Sequence, residues 1–133
     1  MKKELYRKIL QWILWLIAIH SICFGLALII FPIGFIEFFG FRLQEKFFAD
    51  QGGLFHLIIS TVYIMAARNP ERAGKLIFLS CFTKFSASVF LISYFIFGGH
   101  IIMVFLSGIG DFLMGVAIFL SYRLFLKHTE VIT

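Results

Sequence analysis

Polar and apolar positions along the chain do not alternate and do not follow a narrow helical stripe. They come in four long blocks: Ile9–Phe31, Gly52–Ala67, Leu76–Phe97 and Ile101–Ser121. A helix needs about 20 mainly apolar residues to cross the hydrocarbon layer. The first block has 23 residues; the second has 16 and is lengthened outward by Phe48 and Ala49. The blocks therefore predict four spanning helices at about 9–31, 49–67, 76–97 and 101–121 in a single domain. A closed barrel would need alternation, and lipid permits no open sheet because every backbone group must pair internally. The predicted fold class is an all-α, integral membrane four-helix bundle.

The polar punctuation between blocks predicts direction. Lys2, Lys3, Arg7 and Lys8 precede the first block, Arg68, Arg72 and Lys75 separate the second and third, and Arg123 and Lys127 follow the fourth. The first connection holds only Arg42 and Lys46, and Gly98–His100 holds no Lys or Arg. Nine basic residues against two place both termini on the cytoplasmic side. In the second connection Asn69 reads as an N-cap, Pro70 as a first helical residue and Glu71 as a charge suited to a helix start, so the third helix is expected to begin there. Gly98-Gly99 is expected to turn the last two helices into a hairpin. Pro32–Gln51 interleaves aromatics with Glu37 and Arg42. It reads either as a segment lying in the outer interface or as a loop shielding the bundle mouth.

Composition agrees: 61% of residues are hydrophobic and 14% charged, whereas soluble domains run at about 45–50% and 25%. The net charge of +5 could suggest nucleic acid. The basic residues flank apolar blocks and form no separate basic domain, so the expected partner is the lipid bilayer and not nucleic acid. Met1–Lys8 followed by an apolar run resembles a signal peptide. The run exceeds the usual core of about 7–15 residues and is read as a retained span. Cys23 and Cys81 lie inside blocks at different depths and outside any Cys-x-x-Cys pair, which predicts neither a disulfide nor a zinc site.

Candidate chemistry sits in four ionisable residues, one per span: His20, His56, Lys84 and Asp111. At about 1.5 Å per residue, all four fall roughly 12–16 Å from the cytoplasmic ends, near the middle of a core about 30 Å thick. Neighbours at i±4 suggest inward faces: Ser80 and Ser88 around Lys84, Ser107 and Gly115 around Asp111, Gly52 and Ser60 around His56, and Ser21 with Gly25 beside His20. An unpaired charge at this depth costs at least about 2.5–3.5 kcal/mol, which makes Lys84 and Asp111 expected partners. The pair is either a structural ion pair setting helix register or a ligand or proton site formed with His20, His56, Ser60, Ser88 and Ser107. The histidines could also hold a haem, or a metal together with Asp111; the expectation is that no cofactor or metal is bound. His100 is expected to be solvated. The 19 Phe face lipid or line a slot for a flat apolar ligand such as a quinone or isoprenoid.

Size, four spans, the second span opening Asp50-Gln51-Gly52-Gly53-Leu54 and the fourth-span run Ser107-Gly108-Ile109-Gly110-Asp111 together resemble the DoxX-like group of small four-helix bacterial membrane proteins, BphX-like members in particular. The resemblance implies a cell-membrane protein and, for some members, partnership with quinone-linked redox enzymes. It transfers no catalytic residue, and the chain lacks the cysteine pair of membrane thiol oxidoreductases. The expected function is non-enzymatic: binding of a lipophilic molecule, possible ligands being a quinone or lipid, or service as an accessory subunit beside other membrane subunits or further copies. The alternatives are a small transporter or proton relay through the Lys-Asp-His layer, and a quinone-handling oxidoreductase component. Transporters commonly use broken helices, and the blocks contain no internal proline.

Overall fold

The computed structural model describes residues 2–130, with the backbone alone described at 130. The chain forms helices α1 (Lys2–Ile30), α2 (Ile33–Phe38), α3 (Phe47–Arg68), α4 (Gly74–Tyr94) and α5 (Ile102–Glu130), with a π-helical turn at Phe95–Gly99. No strand occurs among the described residues. Four of the helices, α1, α3, α4 extended through the π turn, and α5, are long and apolar enough to cross a membrane.

Each helix end has a local cause. α1 starts well before its apolar run, where Arg7 pairs with Glu4 one turn earlier. It stops ahead of Pro32, whose ring disfavours a helical residue before it. Pro32, at φ −68° and ψ 159°, then leads into α2. At the next connection the expected helix start is corrected. Asn69 ends α3 at φ −148°, and Asn69–Ala73 form a tight turn in which Arg72 N–H donates to the Asn69 carbonyl at 3.2 Å. α4 begins only at Gly74. Pro70 is buried in that turn, and Glu71 faces Lys3 at 3.9 Å instead of capping a helix. The last hairpin also differs in detail. Its left-handed residue is His100 at φ 49°, not a glycine. Gly98 and Gly99 are needed for closeness: a Cβ on either would lie 3.3 Å from the Tyr94 ring folded over them.

The long helices run up, down, up, down in a ring. α1 packs chiefly on α3 and α4 on α5, while α1–α5 and α3–α4 contacts close the circle. The end where α1 begins is called the base, and the end bearing α2 and His100 the crown. At the base, Gln11 donates to the Ala67 carbonyl and Tyr6 lies on His128, tying α1 to α3 and to α5. Leu10, Leu14 and Ala18 from α1, Tyr63 and Ala66 from α3, Ile77 from α4 and Ile118 from α5 form one buried apolar cluster in the base half.

Towards the crown, glycines bring helix pairs together. Gly25 and Gly53 meet backbone to backbone. A Cβ added to Gly25 would stand 2.7 Å from the Gly53 carbonyl oxygen, and one on Gly53 2.6 Å from that of Gly25. The small-residue face of α3 is thus set by Gly53 and not by Gly52. Gly108 and Gly115 play the same part between α5 and α4, against Leu91, Ile92 and Phe85. Hydroxyl groups and one charge share the interior with the apolar core, and large apolar side chains cover the outside. Ser21, Ser60, Ser80, Lys84, Ser88 and Ser121 are buried, whereas Trp12, Phe78, Phe82, Phe90 and Leu113 are exposed.

Candidate binding site

The tight α1–α3 and α4–α5 pairs leave a cavity of about 590 Å³ between them in the crown half. Small-molecule sites occupy about 300–1,000 Å³. The cavity lies chiefly between α1 and α5. His20, Phe24 and Leu28 form the α1 wall at a spacing of four. Met103, Ser107, Gly110, Asp111 and Met114 form a matching stripe on α5, with Leu106 at its margin. His56 of α3 and Leu91 of α4 close the back. Ile36 of α2, Phe41 and Leu43 from the connection to α3, and Phe48 in the first turn of α3 form the roof.

Of the two readings of that segment, the structure supports a cover over the bundle mouth: Ile36 turns inward over it, while Phe38 beside it is 82% exposed. Lys46 fastens the roof by donating to the Ile29 carbonyl at the end of α1 and lying 3.3 Å from Asp50.

The polar end of the cavity is built on the hairpin of α4 and α5. Lys84 Nζ donates to Asp111 Oδ1 at 2.5 Å, with the two side chains 5% and 13% exposed. Lys84 also stands over the Tyr63 ring at 5.7 Å. Lys84 comes from behind, and Asp111 is on the cavity wall. Opposite, the aromatic rings form a ladder. His20 stacks on Phe24, and Phe24 meets His56 edge-on with centroids 4.9 Å apart. Ser21 orients His56, its hydroxyl donating to the His56 carbonyl at 3.0 Å and lying 3.3 Å from Nδ1.

Of the residues expected to form a polar layer, His20, His56, Ser107 and Asp111 line one cavity, with Lys84 behind Asp111. Ser60 and Ser88 are buried outside its wall; Ser60 bonds the Leu57 carbonyl of its own helix at 2.6 Å. Among the described residues, no group of three His, Cys, Asp or Glu side chains converges as a metal site, so His20, His56 and Asp111 are not brought into one. Cys23 is exposed on α1 and Cys81 half-buried on α4, both as free thiols.

Sequence reasoning missed Phe24, Gly110 and Met114. Gly110 is the informative one: a Cβ there would meet nothing within 4 Å, because it points into open cavity. A glycine inside an apolar helix was the available signal, and it does not by itself separate Gly110 from the close-packed Gly108. Compared with protein families, curated proteins and solved structures, the chain finds no match.

Proposed function

We propose that this chain is an integral membrane protein of the cell membrane, both termini cytoplasmic, that holds a lipophilic molecule such as a quinone or lipid in the crown cavity without transforming it. The observation that carries the reading is the cavity itself: mostly apolar walls, an aromatic ladder on one side and a few polar groups converging at one end, the usual build of a small-molecule site. The apolar exterior supports the membrane setting, since such a surface is tolerable only in lipid. With the base towards the cytoplasm, the cavity opens in the outer half of the bilayer. A DoxX-like relationship fits this layout, and the accessory role beside other membrane subunits is part of the proposal. The apolar cluster at the base favours binding over a transporter or proton relay, because the described ionisable residues of the layer, His20, His56, Lys84 and Asp111, lie on the crown side of it.

The test is purification in mild detergent, followed by an absorption spectrum and mass spectrometry of what co-elutes. A lipophile should accompany the protein, and no Soret band should appear. Gly110→Leu should deplete the lipophile, because its side chain would enter the open space. Identical co-eluting material from wild type and Gly110→Leu would refute the reading.

A further inference from the structure

The head group of the ligand can be argued from the acceptor chemistry at the cavity's polar end; this rests on the cavity being a lipophile site. Asp111 is the one Asp, Glu, Lys or Arg among the described lining residues. Its carboxylate offers about four lone-pair sites. Lys84 occupies Oδ1 from the α4 side, so the pair is neutral as a whole while its carboxylate belongs to the wall. Ser107 lies one turn away on the same stripe, and Gly110 leaves the approach to Asp111 unobstructed.

A head group seated here meets an acceptor. An anionic head would set like charge against Asp111 where little water screens it. A cationic head would leave one positive charge in excess beside Lys84, which is already held at 2.5 Å and almost fully buried. A head group that only accepts, as an oxidised quinone does, can take a hydrogen bond from Ser107 or an imidazole but offers the carboxylate no proton, so it forgoes the charge-assisted bond. The imidazoles of His20 and His56 can donate or accept, so they do not discriminate between these classes.

We infer that the cavity selects an uncharged lipophile whose head group bears a hydroxyl, donating its hydrogen bond to Asp111, with the apolar body lying along the α1–α5 seam against Phe24, Leu28 and Met103. The apolar part follows the cavity from its polar end to the roof at Ile36.

The experiment uses four probes sharing one 20-carbon isoprenoid chain: the alcohol, its methyl ether, the carboxylic acid and the primary amine. Binding to the purified full chain is measured by thermal shift and native mass spectrometry, with Gly110→Leu alongside. The alcohol should bind roughly 10-fold or more tighter than the ether, the worth of one hydrogen bond to a charged acceptor. Acid and amine should bind more weakly than the alcohol, and Gly110→Leu should weaken all four. Equal binding of alcohol and ether, lost in Gly110→Leu, would overturn the head-group inference and leave the lipophile reading standing. Tighter binding of the acid or the amine overturns it in the same way. Failure of every probe to bind, or binding untouched by Gly110→Leu, removes the lipophile reading and the inference with it.

Discussion

Replacing glycine by alanine should have opposite signs at two places in this bundle. At Gly53 the new Cβ would lie 2.6 Å from the Gly25 carbonyl oxygen, and at Gly25 it would lie 2.7 Å from that of Gly53. Both obstacles are backbone, which cannot swing aside. Ordinary contact begins at 3.4 Å, so the two helices must separate by roughly 0.7–0.8 Å. A gap of that size forfeits about a quarter to a half of the dispersion energy of atoms facing each other across the seam. Overpacking of this kind costs about 1–3 kcal/mol. One separation relieves both clashes, so Gly25→Ala/Gly53→Ala should lose clearly less than the two single losses added. At Gly110 the Cβ meets nothing within 4 Å. There alanine should stabilise, by about 0.5–1 kcal/mol from helix entropy. Unfolding by titration with a denaturing detergent, followed by far-ultraviolet circular dichroism, gives all four numbers. Additive losses at Gly25 and Gly53, or a Gly110→Ala loss as large as that of Gly53→Ala, would refute the close-approach argument.

Lys84→Met or Asp111→Leu alone should cost about 3–5 kcal/mol, because each strands a buried charge, while the double variant should lose far less. Simple addition of the single losses in a stability cycle would show that the residues are not coupled. For topology, reporters inserted near Gln44 and fused after Thr133 should lie on opposite sides of the membrane, outside and inside respectively, from the nine-to-two basic asymmetry; Thr133 itself lies outside the described residues. Reporters on the same side would sink the proposed orientation.

The long helices were legible because apolar run length is a strong signal that no neighbour has to interpret. The Lys84–Asp111 contact was legible for a related reason: opposite charges at similar depth on two consecutive helices have few other places to go. What failed was phase and shape. Gly52 and Gly53 are adjacent, and pairing Gly52 with His56 and Ser60 at intervals of four is as regular as the true choice. Only the crossing of α1 decides for Gly53, seven residues before Ser60. Asn69-Pro70 has the composition of a helix start, yet Asn69 closes α3 and the buried Pro70 packs in the turn, so tertiary contact overrides local preference. The cavity was illegible in its walls. Phe24, Leu28 and Met103 are apolar residues in apolar spans, and whether they face lipid or a void depends on how far two helix pairs diverge.

The placement of Lys84 and Asp111 also bears on how the protein could be assembled. The two residues belong to consecutive helices joined by a turn of only a few residues. On the proposed membrane reading, α4 entering lipid alone would carry an uncompensated ammonium, and α5 alone an uncompensated carboxylate, each opposed by about 2.5–3.5 kcal/mol at the helix centre. Entering as a hairpin, they neutralise one another before either meets hydrocarbon. The second half of the chain should then be released from the insertion machinery as a preformed two-helix unit, later than α1 and α3, and a long soluble spacer placed at Gly99 would be expected to trap α4 at the bilayer surface.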